Sequence, residues 1–557
     1  MVMQKEPDKE TPTPGPDEPE LATPTTDIAA DTVSDAAVAA SVAPDETVIP
    51  FDAIVASSPP PGVGSTGASG ASGASGAPED SSDPKKFPIR LARKLRLVLS
   101  QNGQPFAISQ RGHAGPRAVS LDSRQIRKLI RKEAAKEKLP LRERDVDDVI
   151  AHLKAHAEMA TEIVDVWYRV AQIPDGVVIA IGGEANTHIR ITPGKVAVIV
   201  GGTDTLFYET SVSKPMAFPA EQGDYGLLKK YVNVGAEDFV LLIAWISYTL
   251  AHPKVPTTKY LHLVIMGDQG SGKSTLSSLI LSLVDPSHVG LQIFPGNAID
   301  LSIAAANAHL LVYDNMRGFK QFMADLLCVA STGGAISTRQ LYTNAEQSIQ
   351  RLHCALVLNA IHSLINQPDL AQRCLPIRTL SLSESNRRSD AAMAVELALD
   401  LPVIFRGILD LIAEIMRHLP TVSVTNPERM LDFVRWLAAM EIAKGVPAGI
   451  YQAAYSEALR EAQLDSLQEN LLASAVLEFA AKHARPEYGE TPGELLSKLT
   501  EELPDGAKYS REWPSNPIAL SKRLNALKAS LATQGVQIDF SRGKERHITI
   551  TTREVAP

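Results

Sequence analysis

A glycine-rich loop with one lysine, at residues 267–275, carries the clearest chemistry in the sequence. The loop has the pattern G-x-x-x-x-G-K-S; the apolar run 260–266 precedes it and the helix-forming stretch 276–284 follows it. Glycines allow backbone N–H groups to surround phosphate oxygens, and the start of a helix adds partial positive charge. In this pattern Lys273 reaches the β- and γ-phosphates of ATP, and Ser274 binds Mg²⁺. The predicted nucleotide contacts are Gly267, Asp268, Gln269, Gly270, Ser271, Gly272, Lys273, Ser274 and Thr275. A chance match in a Gly- and Ser-rich loop is the alternative, and the flanking strand and helix patterns argue against it.

A carboxylate at the end of a second apolar run is the expected partner of this loop. Asp314 follows the short β-type run 308–313, which is the Walker B arrangement for holding the Mg²⁺ shell. The alternative is an aspartate that begins a surface turn. Asn315 stands where many ATPases with this motif have a glutamate that activates water. The general base is therefore not at its usual place; Asp314, Asp325 or a residue elsewhere are the candidates.

Two further polar residues follow apolar runs downstream. Asn359 ends the apolar run 353–358, where an amide could sense the γ-phosphate or orient the attacking water. Arg373 has the placement of an arginine finger, which stabilises the transferring phosphoryl group on a neighbouring subunit. An ordinary surface arginine is the alternative, and Arg378 competes for the finger role.

Several short segments carry a family resemblance. They resemble the AAA+-type ATPases of phages and integrated mobile elements, which are similar to superfamily 3 helicases and to the helicase part of poxvirus-type primase–helicases. The resemblance covers roughly residues 100–555, and its most specific segment contains Arg339. The segments are 314–315, 332–334, 337–343, 358–361 and 368–373.

The resemblance implies a ring of six subunits with ATP and Mg²⁺ bound between neighbours. Lys273, Ser274 and Asp314 would come from one subunit and Arg373 from the next. In superfamily 3 relatives the region of Arg339 forms a hairpin in a central DNA channel, so the resemblance implies that Arg339 contacts DNA. A salt bridge at a subunit contact is the alternative for Arg339.

The expected fold is an α/β P-loop NTPase (AAA+-like) core with a helical lid, an N-terminal small α+β module, a C-terminal winged helix and a disordered N-terminal tail. Arg387 and Arg388, where the lid begins, could act as a second sensor, although a surface pair is the better interpretation. The expected boundaries are a disordered acidic tail at 1–83, a basic helical module at 84–160, a small β-rich module at 161–235, the ATPase core at 236–387, the helical lid at 388–485 and the winged helix at 486–557.

Charge is unevenly distributed, although the chain as a whole has a net charge of −9. Residues 1–83 are acidic and rich in Pro, Ala, Thr and Ser, a composition that predicts a disordered, solubilising tether. Residues 85–144 are strongly basic. Their central segment, 123–138, reads as an amphipathic helix capped by Asp122 or Ser123. This helix could hold a phosphate backbone or could be a solvated face, and the sequence does not choose between them.

The C-terminal region predicts a DNA-binding module. A helix that begins at Thr491, a second helix capped by Asn516 with Pro517 at its first position, and two alternating strands make a winged helix. The same module closes the resembled phage ATPases. The expected DNA contacts are Lys522, Arg523, Arg542, Lys544 and Arg546. Docking of another protein is the alternative role for this module.

Composition excludes several classes of protein. The three cysteines lack metal-ligand spacing and read as reduced packing residues. The longest apolar candidate, 239–250, is too short to cross a bilayer and reads as a buried helix. The N-terminal residues lack the pattern of a signal peptide, so a cytoplasmic protein without membrane contact is expected.

Two function classes follow. The first is an ATP-driven, ring-forming DNA helicase or translocase for replication of a phage or mobile element. The second is a DNA-binding regulatory or origin-loading ATPase, in which nucleotide switches assembly with little unwinding. Asn315 favours the second and the DNA-channel resemblance favours the first. A metabolic kinase is a weaker third possibility. No primase motif precedes the loop, so a separate primase is a possible partner.

Overall fold

The computed structural model describes most of the chain after residue 83. The described residues are 84–110, 115–160, 162–201, 203–316, 318, 321–339, 347–360, 367–382, 388–425, 427–483, 489–504, 506–510, 512–541 and 546–552. The acidic tail, expected to be disordered, lies outside them. The helices are α1 (Phe87–Lys94), α2 (Arg124–Lys136), α3 (Glu143–Glu158), α4 (Ala236–Ala251), α5 (Lys273–Val284), α6 (Ala298–Ala306), α7 (Gln321–Thr332), α8 (Pro368–Ala371), α9 (Asp390–His418), α10 (Leu431–Lys444), α11 (Ile450–Glu469), α12 (Leu471–His483), α13 (Pro492–Glu501) and α14 (Pro517–Thr533).

The strands form several small sheets. They are β1 (Arg96–Ser100), β2 (Pro105–Gln110), β3 (Pro116–Ser120), β4 (Ile163–Val164), β5 (Val166–Trp167), β6 (Val170–Ile173), β7 (Gly176–Gly182), β8 (Thr187–Thr192), β9 (Lys195–Ile199), β10 (Leu206–Phe207), β11 (His262–Met266), β12 (Leu310–Met316), β13 (Gly334–Arg339), β14 (Gln347–Leu352), β15 (Ala355–Ala360), β16 (Cys374–Arg378), β17 (Val536–Phe540) and β18 (Ile548–Thr552).

The basic N-terminal module is α+β rather than helical throughout, which corrects the helical description of residues 84–160. Its sheet has the order β3-β2-β1-β4, and its buried core joins this sheet to α1, α2 and α3. The run 96–100 is short and mostly apolar, with Arg96 as its one charge, so periodicity alone does not separate a strand from a buried helix segment there. Ser123 caps α2 as predicted, because its hydroxyl accepts a hydrogen bond from the N–H of Ile126 at 3.3 Å.

The predicted β-rich region contains an antiparallel sheet with the order β6-β7-β8-β9 and a parallel pair of β5 with β10. Glycine- and asparagine-containing turns join its longer strands, as the sequence predicted. Because β4 pairs with β1, the boundary between this region and the N-terminal module runs through a shared sheet.

A parallel sheet with the order β12-β15-β11-β16 forms the centre of the protein. Parallel sheets are normally covered on both faces, and their carboxyl ends lie at one edge, where ligands bind. Helix α4 is buried along most of its length against this sheet, as the apolar run 239–250 predicted.

The long helix α9 runs for 29 residues and contains Pro402. The segment before α4 packs against it: the N–H groups of Ala220 and Asp224 donate to the carbonyls of Pro402 and Val403 at 3.1 and 3.0 Å. Gly407 permits a very close approach, because a Cβ there would lie 2.4 Å from the backbone nitrogen of Tyr225. Helices α9, α10 and α11 therefore share one apolar core with α4 and the central sheet.

The C-terminal region has the order α13, α14, β17, β18, as predicted. Asn516 caps α14 by accepting from the N–H of Ala519 at 2.9 Å, and Pro517 occupies the first turn. Thr491 and Glu494 form a capping box at the start of α13. Strands β17 and β18 pair antiparallel.

Two general features match the composition. Within the described part of the chain, every helix is too short or too polar to cross a membrane. Cys328, Cys354 and Cys374 are free thiols, and the last two are buried.

Candidate nucleotide-binding site

The glycine-rich loop, residues 267–275, joins the carboxyl end of β11 to the first turn of α5. Gly267, Gly270 and Gly272 have φ values of 148°, 80° and 92°, which side chains adopt rarely. A Cβ on Gly267 would lie 2.2 Å from Oγ1 of Thr379. The loop therefore requires glycine at its first position for space as well as for backbone conformation.

Side chains from the neighbouring strand and the following segment hold the loop in place. The hydroxyls of Ser271 and Thr379 lie 2.6 Å apart, and Ser271 also donates to the carbonyl of Asp268 at 2.8 Å. Ser381 donates to the Asp268 carboxylate at 2.8 Å. These contacts fix the backbone of the loop before any ligand arrives.

Lys273 lies at the first position of α5, with its ammonium group folded back on the loop. Its Nζ donates to the carbonyls of Gly267 and Asp268 at 2.8 and 2.7 Å. Burial lowers the pKa of Lys273, while the charges of Asp314 and Asp268 oppose that shift. The lysine is thus held at the centre of the loop by two carbonyls that anionic oxygens could replace.

Asp314 and Ser274 come together across the central sheet, as the two motifs predicted. Ser274 Oγ donates to Asp314 Oδ2 at 2.8 Å. The regular pairing of β12 with β15 is interrupted between Tyr313 and Met316, so Asp314 lies at an irregular strand end. The hydroxyl and the carboxylate share one position at the carboxyl edge of the parallel sheet.

Asn359 orients the Asp314 carboxylate from the adjacent strand. Its Nδ2 donates to Asp314 Oδ1 at 3.1 Å, and its own Oδ1 accepts from Ser277 Oγ at 2.7 Å. Asn359 is 1% exposed. Its geometry therefore makes it a positioning residue for Asp314 in the described state.

Asn315 has a left-handed backbone with φ of 57°. Its N–H donates to Asp314 Oδ1 at 2.9 Å, while its side chain is exposed. Asp325, the other acidic candidate for a general base, is on α7 and accepts from Gln321 at 3.1 Å. An amide cannot take a proton from water at neutral pH.

A cavity of about 710 Å³ adjoins the loop. Tyr231, Asn233 and Met393 line it together with loop residues. Asn233 also donates to the carbonyl of Ser271 at 3.3 Å. Arg388 lines the same cavity, and it pairs with Glu396 at 2.6 Å. Arg388, which the sequence favoured as a surface residue, therefore lies beside the candidate site; Arg387 lies outside the described residues.

Arg373, the predicted arginine finger, is held within its own chain. Its Nη1 contacts the Asp369 carboxylate at 2.5 Å and the Asp369 carbonyl at 2.9 Å, and its side chain is 11% exposed. The hydrogen bond from Arg373 is the largest of the effects that lower the pKa of Asp369 to about 2. Arg429 also contacts Asp369. A finger role requires Arg373 to leave these contacts.

Arg378, the competing candidate, is 40% exposed and contacts Asp465 on α11. Its backbone N–H donates to the Asp238 carboxylate at 3.2 Å. Arg378 therefore joins β16 to α4 and α11, away from the loop contacts described above.

The predicted DNA contacts are only partly described. Lys522 and Arg546 are exposed, whereas Arg523 donates to the carbonyl of Glu512. Arg542 and Lys544 lie outside the described residues. The backbone of Arg339 ends β13, and its side chain is outside the description. All six DNA contacts therefore stay predictions.

The donors at the strand edge fit a cation that a nucleotide brings. Among the described residues, no group of three or more His, Cys, Asp or Glu side chains is placed to hold a metal ion. Mg²⁺ commonly takes one or two carboxylates from the protein and its other oxygens from phosphates and water. The pair of Asp314 and Ser274 fits that donor set.

Several supporting residues carried no signal in the sequence. Asn233 and Thr379 lie far from the loop along the chain but contact it, and Ser277, in the first turn of α5 beyond the loop, contacts Asn359. The sheet register brings Thr379 there: β11 pairs directly with β16, which ends just before Thr379. Only a prediction of strand order could have identified it.

Two family models match the chain. Residues 226–465 match the model described as actinomycete integrative conjugative element replication protein, and residues 472–557 match the model described as AICE RepA C-terminal domain. Together they span more than half of the chain. The search of curated proteins found no match to the chain.

Among solved structures, the chain is similar to apo structures of the C-terminal region of NrS-1. The A form is 11% identical with a TM-score of 0.35, covering 85% of this chain and 100% of that one. A structure of residues 305–718 of NrS-1 is 11% identical with a TM-score of 0.36 and the same coverage.

Proposed function

We propose that this chain, a replication protein of a mobile element, is an ATP-driven DNA helicase or translocase with an AAA+-like P-loop core. One observation carries the ATPase part of the proposal. The Ser274 hydroxyl donates to the Asp314 carboxylate at 2.8 Å, directly beside Lys273 and the glycine-rich loop. This combination of lysine, hydroxyl and carboxylate at a helix start matches the chemistry of a nucleoside triphosphate site.

The proposed roles follow from the contacts. Lys273 would exchange its two loop carbonyls for β- and γ-phosphate oxygens. Ser274 and Asp314 would hold Mg²⁺, whose charge stabilises the phosphates when it is bound. Asn359 would keep the Asp314 carboxylate in position. The cavity lined by Tyr231 and Met393 would take the nucleoside.

In the proposed assembly, six copies form a ring and Arg373 of one subunit serves the nucleotide of the next. The contact between Arg373 and Asp369 would then be a resting arrangement that assembly replaces. Measurement of molecular mass in ATP and Mg²⁺ tests the ring. A monomer at micromolar concentration would exclude it.

The C-terminal region is proposed to be a winged helix that binds DNA. Exposed Lys522 and Arg546 support the proposal, since unneutralised cations supply most of the affinity for a phosphate backbone. Lys522→Ala with Arg546→Ala in the full chain is expected to weaken duplex binding and to flatten its salt dependence. Unchanged affinity and unchanged salt slope would favour protein docking.

A second candidate is a regulatory or origin-loading ATPase that switches assembly with little unwinding. Asn315 favours it, because an amide occupies the position next to Asp314 and cannot act as a base. In this reading nucleotide binding is tight and turnover is slow.

ATP hydrolysis by the intact protein, with and without single-stranded DNA, separates the two candidates. DNA-stimulated hydrolysis that falls by about 100-fold or more in Lys273→Ala supports the motor. Lys259→Ala, an exposed lysine just before β11, is the matched control and should behave as wild type. Tight binding with negligible turnover in both conditions would favour the regulatory ATPase.

A further inference from the structure

A basic cleft lies between helix α2 on one side and strand β3 with residues of the β-rich region on the other, in a part of the molecule that the nucleotide site does not use. Its volume is about 820 Å³, within the range of sites that enclose a ligand. We call it the basic cleft. Six of its lining residues are cationic: Arg117, Lys128, Lys132, Lys136, Arg169 and Lys214.

Helix α2 divides its basic side chains between two faces. Arg127 contacts Glu143 at 2.6 Å and also contacts Asp147, and Arg131 contacts Glu143; both acids are on α3. These arginines therefore hold the two helices together. Lys128 and Lys132 are exposed and line the cleft. The basic helix thus serves a structural role on one face and leaves its lysines on the other.

The opposite wall contains two buried arginines whose guanidinium groups already contact acids or carbonyls of the protein. Arg117, whose side chain is 10% exposed, contacts Glu209 at 3.5 Å and the carbonyl of Gly183. Arg169 donates to the carbonyl of Lys214 at 3.1 Å. The arginines therefore fix the backbone of this wall, and the exposed Lys214 side chain extends from it.

The acids in the cleft pair with only part of its positive charge. Glu133 pairs with Lys136 at 2.5 Å, and Glu209 pairs with Arg117. Across the described residues, no acidic partner is found for Lys128, Lys132 or Lys214. Three like charges facing one cleft repel each other, so an anionic ligand with several negative groups would stabilise this arrangement.

The spacing of the lysines indicates which kind of anionic ligand fits the cleft. Lys128, Lys132 and Lys136 follow one another at intervals of four residues, so their row extends for about 12 Å along the helix; Lys136 at its end already pairs with Glu133. That length exceeds a single phosphate group and suits a chain of phosphates. Lys214 approaches from the other wall, so the ligand must fit between two walls, which favours a single strand over a duplex.

We propose that the basic cleft binds the phosphate backbone of single-stranded nucleic acid. The choice of nucleic acid as the polyanion rests on the proposed function. The contacts are with phosphates and therefore carry no sequence information. The cleft gives the protein a strand-binding site separate from the C-terminal region.

The test uses the full-length protein and a fluorescent oligothymidylate, without ATP. Binding is followed by fluorescence anisotropy between about 50 and 200 mM salt. Lys128→Ala/Lys132→Ala should weaken binding and should reduce the log–log salt slope by about 1.4, since each phosphate contact on a single strand contributes about 0.7. Lys128→Arg/Lys132→Arg should retain wild-type affinity.

The matched control is Lys195→Ala/Lys259→Ala, which removes two exposed lysines outside the cleft. It should leave the affinity and the slope unchanged. If the cleft variant and this control behave alike, the proposal is overturned. If the cleft variant loses affinity for ATP or tripolyphosphate but not for the oligonucleotide, the strand-binding proposal is also overturned, and the cleft is a small-anion site.

ATP hydrolysis without DNA distinguishes failure of the cleft proposal from failure of the proposed function. The cleft variant should hydrolyse ATP at the basal rate, because Lys128 and Lys132 do not contact the glycine-rich loop. Loss of strand binding with normal basal hydrolysis supports the cleft. Lost hydrolysis with normal strand binding in Lys273→Ala does not by itself bear on the cleft. The cleft proposal is overturned if the cleft variant also binds the strand normally.

Discussion

Arg169 and Asp285 form a buried ion pair that joins the β-rich region to the elements carrying the candidate site. Arg169 Nε lies 2.9 Å from Asp285 Oδ1, and the two side chains are 4% and 2% exposed. Asp285 follows directly after α5, the helix that begins with Lys273. Its other oxygen accepts from the N–H of His309 at 2.6 Å, immediately before β12. One carboxylate therefore ties together the helix of Lys273, the strand of Asp314 and the β-rich region.

Asp285→Ala is expected to destabilise the protein by about 3–5 kcal/mol, because it leaves the Arg169 charge buried and unpaired. Thermal or denaturant unfolding measures the change. Asp175→Ala is the control: it breaks the exposed pair of Arg190 and Asp175, whose side chains are 47% and 53% exposed. The Asp175→Ala control should lower the free energy of unfolding by less than about 1 kcal/mol. Equal effects of the two substitutions would contradict the structural role of the buried pair.

Gly267→Ala is expected to weaken nucleotide binding at least about ten-fold, equivalent to about 1.4 kcal/mol. The added Cβ would meet the Thr379 hydroxyl at 2.2 Å and force the loop to move. Titration with a fluorescent ATP analogue measures the affinity. Gly290→Ala is the control for a substitution that strains the backbone without a steric clash. Gly290 also has a positive φ, 70°, but nothing lies within 4 Å of its added Cβ. Wild-type affinity in Gly267→Ala would mean that the loop does not bind phosphate in this conformation.

Asn359→Ala is expected to lower ATP turnover by about 10- to 100-fold, the usual cost of losing a residue that orients a metal ligand. The affinity for ATP in the absence of Mg²⁺ should change little, because Asn359 acts through Asp314. Steady-state hydrolysis across a Mg²⁺ titration, beside equilibrium binding, measures both effects. An equal loss of Mg²⁺-free affinity would show that Asn359 contacts the nucleotide instead.

Mixing two inactive variants tests whether Arg373 acts on a neighbouring subunit. Lys273→Ala and Arg373→Ala should each lack activity alone, and mixed rings should regain a fraction of it where an intact Lys273 site meets an intact Arg373. The hydrolysis rate of reassembled mixtures measures this recovery. A repeat with Arg378→Ala in place of Arg373→Ala should give no recovery, since Arg378 contacts its own α11. Recovery only in the Arg378 mixture would mean that Arg378, and not Arg373, acts on the neighbouring subunit.

Stability is expected to fall as the pH decreases from about 6.5 towards 4. Burial lowers the pKa values of His262, His309 and His353 to about 4, from an ordinary value of 6.5. The folded protein keeps these rings neutral while the unfolded chain binds protons, so their stabilising contribution is complete above about pH 6.5 and is lost through this window. Unfolding free energies at several pH values measure the slope. His309→Gln should reduce it; an unchanged slope would contradict the contribution of this histidine.

The sequence predicted the parts of the site that lie in local motifs. The approach of Ser274 to Asp314 follows from two short patterns, because each pattern fixes its residue at the end of a strand or the start of a helix. Thr379 and Asn233 could not be predicted, since their contacts with the loop depend on strand order and on packing between distant segments. The caps at Ser123, Thr491 and Asn516 were predictable because capping involves only neighbouring residues.

The basic N-terminal module shows the opposite limit. Its charge pattern predicted α2 but not the strands β1 and β2, which are short, mostly apolar runs that periodicity alone does not distinguish from buried helix segments. The sequence also could not divide the basic side chains of α2 into arginines that pair with α3 and lysines that line the cleft. That division depends on where Glu143 and Asp147 lie in three dimensions.

Helix α9 connects the nucleotide cavity to the β-rich sheet. At 1.5 Å per residue its 29 residues extend for about 43 Å. Arg388 precedes its first turn at the nucleotide cavity, and near its other end the carbonyl of Ala413 accepts from the N–H of Gly194 at 2.8 Å, in the turn between β8 and β9. A displacement of the first turn would therefore be transmitted to the β-rich sheet through one continuous helix. Pro402 has no N–H to donate within that helix, so it is the position at which the helix would bend.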